Sequence, residues 1–115
     1  MTATQTYFRL FIQLTDVEAT PVQSLCQQLF DTVEAQLTTY GHRFRHRSAM
    51  FELVVETQDG GAVWDFDLEA RLSETDFLKQ LSLITAALTQ AGMHFIGSYV
   101  LMDADDGEIG EEIDL

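Results

Sequence analysis

The sequence predicts an α+β protein with the ferredoxin-like order β-α-β-β-α-β, in which two helices cover one face of a four-stranded antiparallel sheet. Three observations support this fold class: an alternating apolar strand near the N-terminus, two stretches with apolar residues at helical spacing, and a central pair of strands around Asp59-Gly60. We therefore expect one domain over residues 1–102, followed by an acidic C-terminal tail over residues 103–115.

The first strand is predicted over residues 7–14. One of its faces is apolar, and its members are Phe8, Leu10, Ile12 and Leu14. The opposite face contains Tyr7 and Phe11 beside polar residues, so it is half apolar. A strand with apolar residues on both faces is typical of the middle of a sheet, and we expect this strand to be central.

The first helix is predicted over residues 20–40. Thr20 suits its N-cap, Pro21 suits its first turn, and Gly41 would end it. Residues at spacings of three and four form one apolar stripe: Val22, Leu25, Cys26, Leu29, Phe30, Val33 and Leu37. Cys26 is the only cysteine, so an internal disulfide is impossible and we expect it to fill the core.

The second helix is predicted over residues 73–91, with Ser73 as its N-cap and Gly92 just beyond its end. Its apolar stripe consists of Phe77, Leu78, Leu81, Ile84, Leu88 and Ala91. A last strand follows over residues 93–102.

The two strands that flank Asp59-Gly60 form the centre of the predicted fold, over residues 49–70. Asp-Gly favours a two-residue hairpin turn because glycine adopts positive φ without a Cβ clash. This turn predicts three apolar pairs, Phe51 with Leu68, Leu53 with Phe66 and Val55 with Trp64, and three pairs on the other face, Met50 with Glu69, Glu52 with Asp67 and Val54 with Asp65. A four-residue loop would keep these faces, whereas a slip by one residue would turn Trp64 and Phe66 outward.

Half of the six basic residues lie in residues 41–47, where Arg43, Arg45 and Arg47 alternate with other side chains. Counting along an extended chain from Phe51 puts these arginines on the core side, which the cost of burying charge forbids. We therefore expect an overhanging arm or a bulge near Ser48. The arginines would either bind an anion such as phosphate or pair with carboxylates of this chain or of a neighbouring copy, and we favour pairing.

The formal charge of −13 includes seven acids within residues 103–115. Such a charge disfavours non-specific binding to nucleic acids or anionic membranes and favours a basic partner. No apolar run approaches the length of a membrane span, about 20 residues, and the N-terminus lacks a signal-peptide pattern, so we expect a cytoplasmic protein.

Seven carboxylates are the candidate partner-binding residues. Four lie on the exposed face of the predicted hairpin, Glu52, Asp65, Asp67 and Glu69, and three lie in the tail, Asp105, Asp106 and Glu108. The sequence contains no nucleophile motif or second functional group beside the hairpin carboxylates, so we interpret them as a solvated face and predict no catalytic residue.

No metal or cofactor site is predicted. His42 and His46 would lie about 13 Å apart on a strand, too far to bind one ion. Residues 103–112 resemble an EF-hand calcium loop with one residue deleted before the central Asp106-Gly107, and Ile113 stands where the bidentate glutamate belongs.

The order of elements over residues 62–106 is similar to that of acidic regulators that inhibit ribonuclease E: strand, helix, aromatic strand and acidic segment. That family enters its final strand with Tyr-Asp-Gly-Trp. Here the strand reads His94-Phe95-Ile96-Gly97-Ser98-Tyr99, in which only the glycine and an aromatic correspond, so we assign no membership.

The leading hypothesis is a non-catalytic protein-interaction module, such as an inhibitor, immunity protein or regulator, that docks its carboxylates on a basic partner. A first alternative is a small-molecule-binding or enzymatic dimer with a pocket on the open sheet face, lined by Tyr7, Phe11, Met50 and Val54 and served by His94 or the arginines. A second alternative is a structural subunit assembled through Arg43, Arg45 and Arg47.

Overall fold

The computed structural model describes residues 6–39, 41–57 and 63–115. Within them it contains two helices and seven strands. In chain order these are β1 (Tyr7–Thr15), α1 (Ala19–Leu29), β2 (Glu34–Thr38), β3 (Gly41–Arg47), β4 (Phe51–Thr57), β5 (Trp64–Ala70), α2 (Glu74–Gln90), β6 (His94–Met102) and β7 (Ile113–Asp114).

All seven strands belong to one antiparallel sheet with the order β2-β3-β4-β5-β1-β6-β7. The prediction of a four-stranded ferredoxin-like β-α-β-β-α-β domain is therefore wrong. The four strands predicted from the sequence correspond to β4, β5, β1 and β6 in the middle of the sheet. Three further strands extend it, β2 and β3 on one side and β7 on the other.

The first helix is shorter than predicted. It begins at Ala19, after the N-cap Glu18, and ends at Leu29 because Phe30 adopts an extended conformation. Pro21 lies in its first turn as expected, but Thr20 is inside the helix and does not cap it. The second half of the predicted helix contains strand β2 instead, and residue 40 lies outside the described residues.

Strand β3 contains the arginines and is neither an overhanging arm nor a bulge. The chain reverses at Ala49 and Met50, where Ser48 and Phe51 exchange hydrogen bonds at 2.8 Å between the Ser48 N–H and the Phe51 carbonyl and at 3.2 Å between the Phe51 N–H and the Ser48 hydroxyl. Arg47 consequently lies opposite Glu52 in the register of β3 and β4. A reversal places arginines and carboxylates on the same face, whereas an extended chain would have placed the arginines in the core.

The predicted apolar and polar faces of β4 and β5 are correct, but the predicted register between the two strands is wrong. Leu53 lies opposite Leu68, Val55 opposite Phe66 and Glu52 opposite Glu69, two residues away from the predicted pairing. Because side chains alternate along a strand, a shift of two keeps the apolar face apolar. The predicted turn at Asp59-Gly60 lies outside the described residues.

Both helices pack on one face of the sheet and enclose a single main core. Trp64 is its largest fully buried side chain; its ring stacks on Phe44 at a centroid distance of 5.4 Å and its indole N–H donates to the Val17 carbonyl at 3.1 Å. Phe8 stacks on Phe77 of α2 at 4.3 Å. The second helix begins as predicted, since the Ser73 hydroxyl accepts a hydrogen bond from the Asp76 N–H.

Residues 103–115, predicted to be a tail, fold back along β6. The Ile109 N–H donates to the Leu101 carbonyl at 2.9 Å, strand β7 pairs with Ser98 and Tyr99, and the Leu115 N–H donates to the Gly97 carbonyl at 3.0 Å. The acidic segment therefore covers part of one sheet edge. None of the helices within the described residues has the length and apolar content needed to cross a membrane.

Candidate functional site

The sheet face opposite the helices, here called the open face, collects most of the charged side chains predicted to be functional. It carries the arginines of β3, Arg43, Arg45 and Arg47, and the predicted hairpin carboxylates, Glu52, Asp65, Asp67 and Glu69. The sequence predicted these two groups separately, and the structure brings them together on neighbouring strands. The positive row on β3 thus lies beside a negative band on β4 and β5.

Two ion pairs on the open face involve arginines and carboxylates of different strands. The Arg43 Nε lies 2.8 Å from the Glu56 Oε2, and the Arg9 Nη2 lies 3.1 Å from the Asp67 Oδ2. Both pairs are partly exposed, so each contributes only about 0.2–1 kcal/mol to stability. The hydrogen bond to Asp67 raises the pKa of Arg9 further. In both pairs an arginine contacts a carboxylate of the same chain.

Arg45 and Arg47 form no ion pair with any residue that the structure describes. Together with Thr32, Glu34 and His46 they line a cleft of about 270 Å³. His46 is turned to the helix side, where its Nδ1 lies 2.6 Å from the Thr32 carbonyl oxygen. The alternative of an anion site would therefore depend on two exposed guanidinium groups beside one carboxylate.

Glu52 and Glu69 face each other across β4 and β5. The sequence predicted a like-charge pair between Glu52 and Asp67, and the shifted register forms it with Glu69 instead. Partial burial and then the Glu52 charge raise the pKa of Glu69. Glu69 therefore holds its proton more tightly than an isolated glutamate does.

Positive and negative charges nearly balance among Arg71 and the strand residues of the open face, while Glu108 and Glu112 of the C-terminal segment line a cleft with Arg9. Arg71, just after β5, adds its guanidinium 5.9 Å from the centre of the Tyr7 ring. Six carboxylates on the strands share this face with the arginines: Glu34, Glu52, Glu56, Asp65, Asp67 and Glu69. The strongest excess of negative charge lies instead in residues 103–115, which contain seven acids and no basic residue.

The acidic segment has a defined conformation at its start. The Asp103 carboxylate accepts hydrogen bonds from the N–H groups of Asp105 and Gly107, both at 2.9 Å. The Tyr7 hydroxyl donates to the Asp106 carboxylate, and this hydrogen bond raises the pKa of Tyr7 to about 12. Asp105 and Glu108 remain exposed. The loop that resembles a calcium site is thus closed by its own backbone, and no group of three metal-ligating side chains occurs among the described residues.

A cleft of about 480 Å³ lies at the end of β7. Its lining is largely apolar and consists of Phe11, Gln13, Phe95, Ile96, Gly97, Ser98, Asp114 and Leu115. Of the four residues predicted to line a pocket on the open face, only Phe11 belongs to this cleft. Asp114 is the one ionisable side chain in its lining, so the cleft suits binding of an apolar group better than catalysis.

Sequence reasoning missed several residues that shape these surfaces. Glu56 has the same strand parity as Glu52, so it should have been included among the face carboxylates. The contacts of Tyr7 with Asp106 and with Arg71 carried no sequence signal, because they join residues that are distant in the chain. The exposed strand β2 was missed because its apolar residues also fit a helical stripe.

The chain was compared with protein-family models and with curated proteins. No family model matches it, and no curated protein matches it. Its function must therefore be argued from its own surfaces.

Proposed function

We propose that the protein is a non-catalytic interaction module that docks on a basic protein partner through its acidic C-terminal segment, residues 103–115. The observation that carries this proposal is the concentration of negative charge in this segment. The open face contains most of the basic side chains beside its carboxylates, whereas the C-terminal segment has seven acids, no basic residue and a backbone held against β6. An ordered acidic edge attracts a basic partner without first losing conformational entropy.

Within this segment, Asp105 and Glu108 are exposed predicted contact residues, and Asp106, also exposed, supports the loop through Tyr7. Glu52 and Glu69 form no ion pair with a described residue and would supply additional contacts on the open face. Asp67 is paired with Arg9, which reduces its part in docking.

The test compares partner capture by wild type and by a variant that removes three exposed charges, Asp105→Asn, Glu108→Gln and Glu111→Gln. At about 0.5 kcal/mol for each exposed charge, capture at low salt should weaken about tenfold. Wild-type capture should itself decline steeply between about 50 mM and about 500 mM salt, because the Debye length falls several-fold over this range.

The matched control removes three exposed charges around α1, Asp16→Asn, Glu18→Gln and Asp31→Asn. We expect this variant to capture the same partner as wild type does. An equal loss of partner capture in both variants would show that only the net charge matters. Partner capture that changes neither with salt nor with the C-terminal substitutions would overturn the proposal.

A second candidate function is binding of a small apolar molecule in the cleft beside Phe11 and Ile96. The size of the cleft and the 71% exposure of Ile96 favour it. Substituting Ile96→Gln should abolish binding of an environment-sensitive apolar dye at this site. A dye signal that is unchanged by this substitution would remove the cleft from consideration.

A third candidate function is assembly through the arginines of β3, which is favoured because Arg45 and Arg47 form no ion pair with the described part of the chain. Charge reversal of Arg43, Arg45 and Arg47 to Glu should then lower the molecular mass measured by light scattering. An unchanged mass would exclude this mode of assembly.

A further inference from the structure

The two edges of the sheet differ in how far other parts of the described chain cover them. At one edge, β7 and the bridge between Met102 and Glu108 cover part of β6. At the other edge, no element of the described residues pairs with the outer side of β2. Natural proteins often protect such an edge with lysine or proline, and residues 34–38 contain neither.

The backbone groups of Ala35 and Leu37 point to this open edge. Thr57 on β4 binds both the N–H and the carbonyl of His42, at 3.1 and 3.5 Å, so His42 faces β4. Neighbouring residues on a strand face opposite sides, and Arg43 and Arg45 therefore face β2. Their partners Gln36 and Glu34 face back toward β3, which leaves Ala35 and Leu37 directed outward.

The side chains of β2 match this backbone arrangement. Leu37 is 81% exposed, the highest exposure among the large hydrophobic residues that the structure describes as exposed. An exposed leucine beside unpaired backbone groups is a surface that another strand can cover, both by hydrogen bonds and by apolar contact.

We propose that β2 pairs with β2 of a second copy in an antiparallel arrangement, so that two seven-stranded sheets join into one continuous sheet. The register that pairs the whole of β2 places Gln36 opposite Gln36 of the second copy. Ala35 then lies opposite Leu37 and exchanges backbone hydrogen bonds with it, and Glu34 lies opposite Thr38. Large side chains thus meet small ones, and no like charges stand directly opposite each other.

The distribution of charge favours a second copy at the β2 edge over one at the acidic β6 and β7 edge. The chain carries a formal charge of −13, so any contact between copies must keep the most acidic regions apart. Residues 103–115 lie at the β6 and β7 edge, at the far end of the strand order from β2. Pairing through β2 joins the ends that carry the arginines of β3 and leaves the acidic edges at opposite ends of the dimer. It also leaves the acidic segment free for the partner proposed above, on which this inference does not depend.

The first test is cross-linking of single-cysteine substitutions under mild oxidation. Gln36→Cys should form a disulfide-linked dimer, because a pair at the twofold axis that is not joined by backbone hydrogen bonds has Cα atoms about 4.5 Å apart. Thr38→Cys is the matched control and should stay uncross-linked, since the two copies of residue 38 lie about 13 Å apart. Cys26 is buried and does not interfere.

The second test is sedimentation of wild type over a concentration series. We expect a mass that rises to twice the 13.0 kDa of the chain. Leu37→Lys should weaken dimerisation about tenfold or more, because a charged edge residue opposes strand pairing. Leu83→Lys, on α2 and 60% exposed, should leave it unchanged. A monomer at every concentration, a dimer insensitive to Leu37→Lys, or equal cross-linking at residues 36 and 38 would overturn the proposal.

Discussion

Replacing Phe44 by Ala tests the most consequential correction to the predicted fold. Phe44 is the central residue of the arginine-rich strand β3, and only 1% of it is exposed. Its ring stacks on Trp64 with an angle of 6° between the two planes. An overhanging arm would leave this phenylalanine in solvent, whereas a strand of the sheet places it in the main core.

The expected loss of stability follows from the burial of the Phe44 side chain. Removing a fully buried phenylalanine costs about 3–5 kcal/mol, including the loss of its stacking on Trp64. This is a large part of the total stability of a domain of this size, about 5–15 kcal/mol. The milder change Phe44→Leu keeps most of the apolar volume and should cost about 1.5 kcal/mol, so it provides a folded variant if Phe44→Ala unfolds.

Urea unfolding followed by the fluorescence of Trp64, the only tryptophan, measures both variants. With a slope near 2 kcal/mol per M, the Phe44→Ala midpoint should fall by about 1.5–2.5 M. The matched control is Phe11→Ala on the open face, where Phe11 is 41% exposed; it should cost about 1 kcal/mol. Equal losses for Phe44→Ala and Phe11→Ala would refute the placement of β3 in the core.

Three further predictions concern the sheet and its acidic edge. Glu69→Gln should stabilise the protein by about 0.5 kcal/mol at neutral pH, because it removes the like-charge contact with Glu52. Since the pKa of Glu69 is raised, the folded state holds this proton more tightly than the unfolded state does. The wild type therefore loses stability as pH rises through that pKa, and the stability gained by Glu69→Gln becomes smaller at lower pH. Tyr7 should ionise near pH 12 in a spectroscopic titration, and Asp106→Asn should return this ionisation toward pH 10. The stability of the wild type should fall as pH rises from 10 toward 12, because the tyrosine of the unfolded chain releases its proton first. Gly97→Ala should lower stability by about 1–3 kcal/mol in thermal unfolding, because the added Cβ would lie 2.4 Å from the Phe11 carbonyl oxygen.

Each of these predictions has a control and a contrary outcome. Glu56→Gln breaks the ion pair with Arg43 and should destabilise slightly, so a gain of stability there would show that any loss of charge on this face stabilises. A Tyr7 titration that stays near pH 12 after Asp106→Asn would show that this hydrogen bond does not cause the shift. Gly110→Ala meets no atom within 4 Å and should be nearly neutral; a loss equal to that of Gly97→Ala would exclude the steric explanation.

The predicted central strand and second helix rest on signals that are local in the chain. Ser73 caps α2, Gly92 follows it with a φ of 70°, and the alternation of residues 7–14 identifies β1. The face assignment of the hairpin also holds, since Trp64 and Phe66 are buried while Asp65 and Asp67 lie on the opposite face. These features hold because capping and alternation act over a few residues.

The helical prediction for residues 30–39 failed because their apolar residues fit two periods. Val33 and Leu37 are four apart, as in a helix, and Val33, Ala35 and Leu37 also alternate, as in a strand. Pairing of Ala35 with Phe44 on β3 decides between them, and this contact is invisible to a local pattern. The side on which the arginines lie depends in the same way on a chain reversal at Ala49 and Met50.

The sequence by itself determined which side chains of β1, β4 and β5 face the helices, the position of α2, and the concentration of negative charge after residue 102. Only the tertiary structure decided the number of strands, the register between β4 and β5, and the meeting of arginines with carboxylates on one face. The physical reason is that alternation and capping are local properties, whereas strand partners and register are chosen by contacts between distant segments, whose energies a single stretch of sequence does not contain.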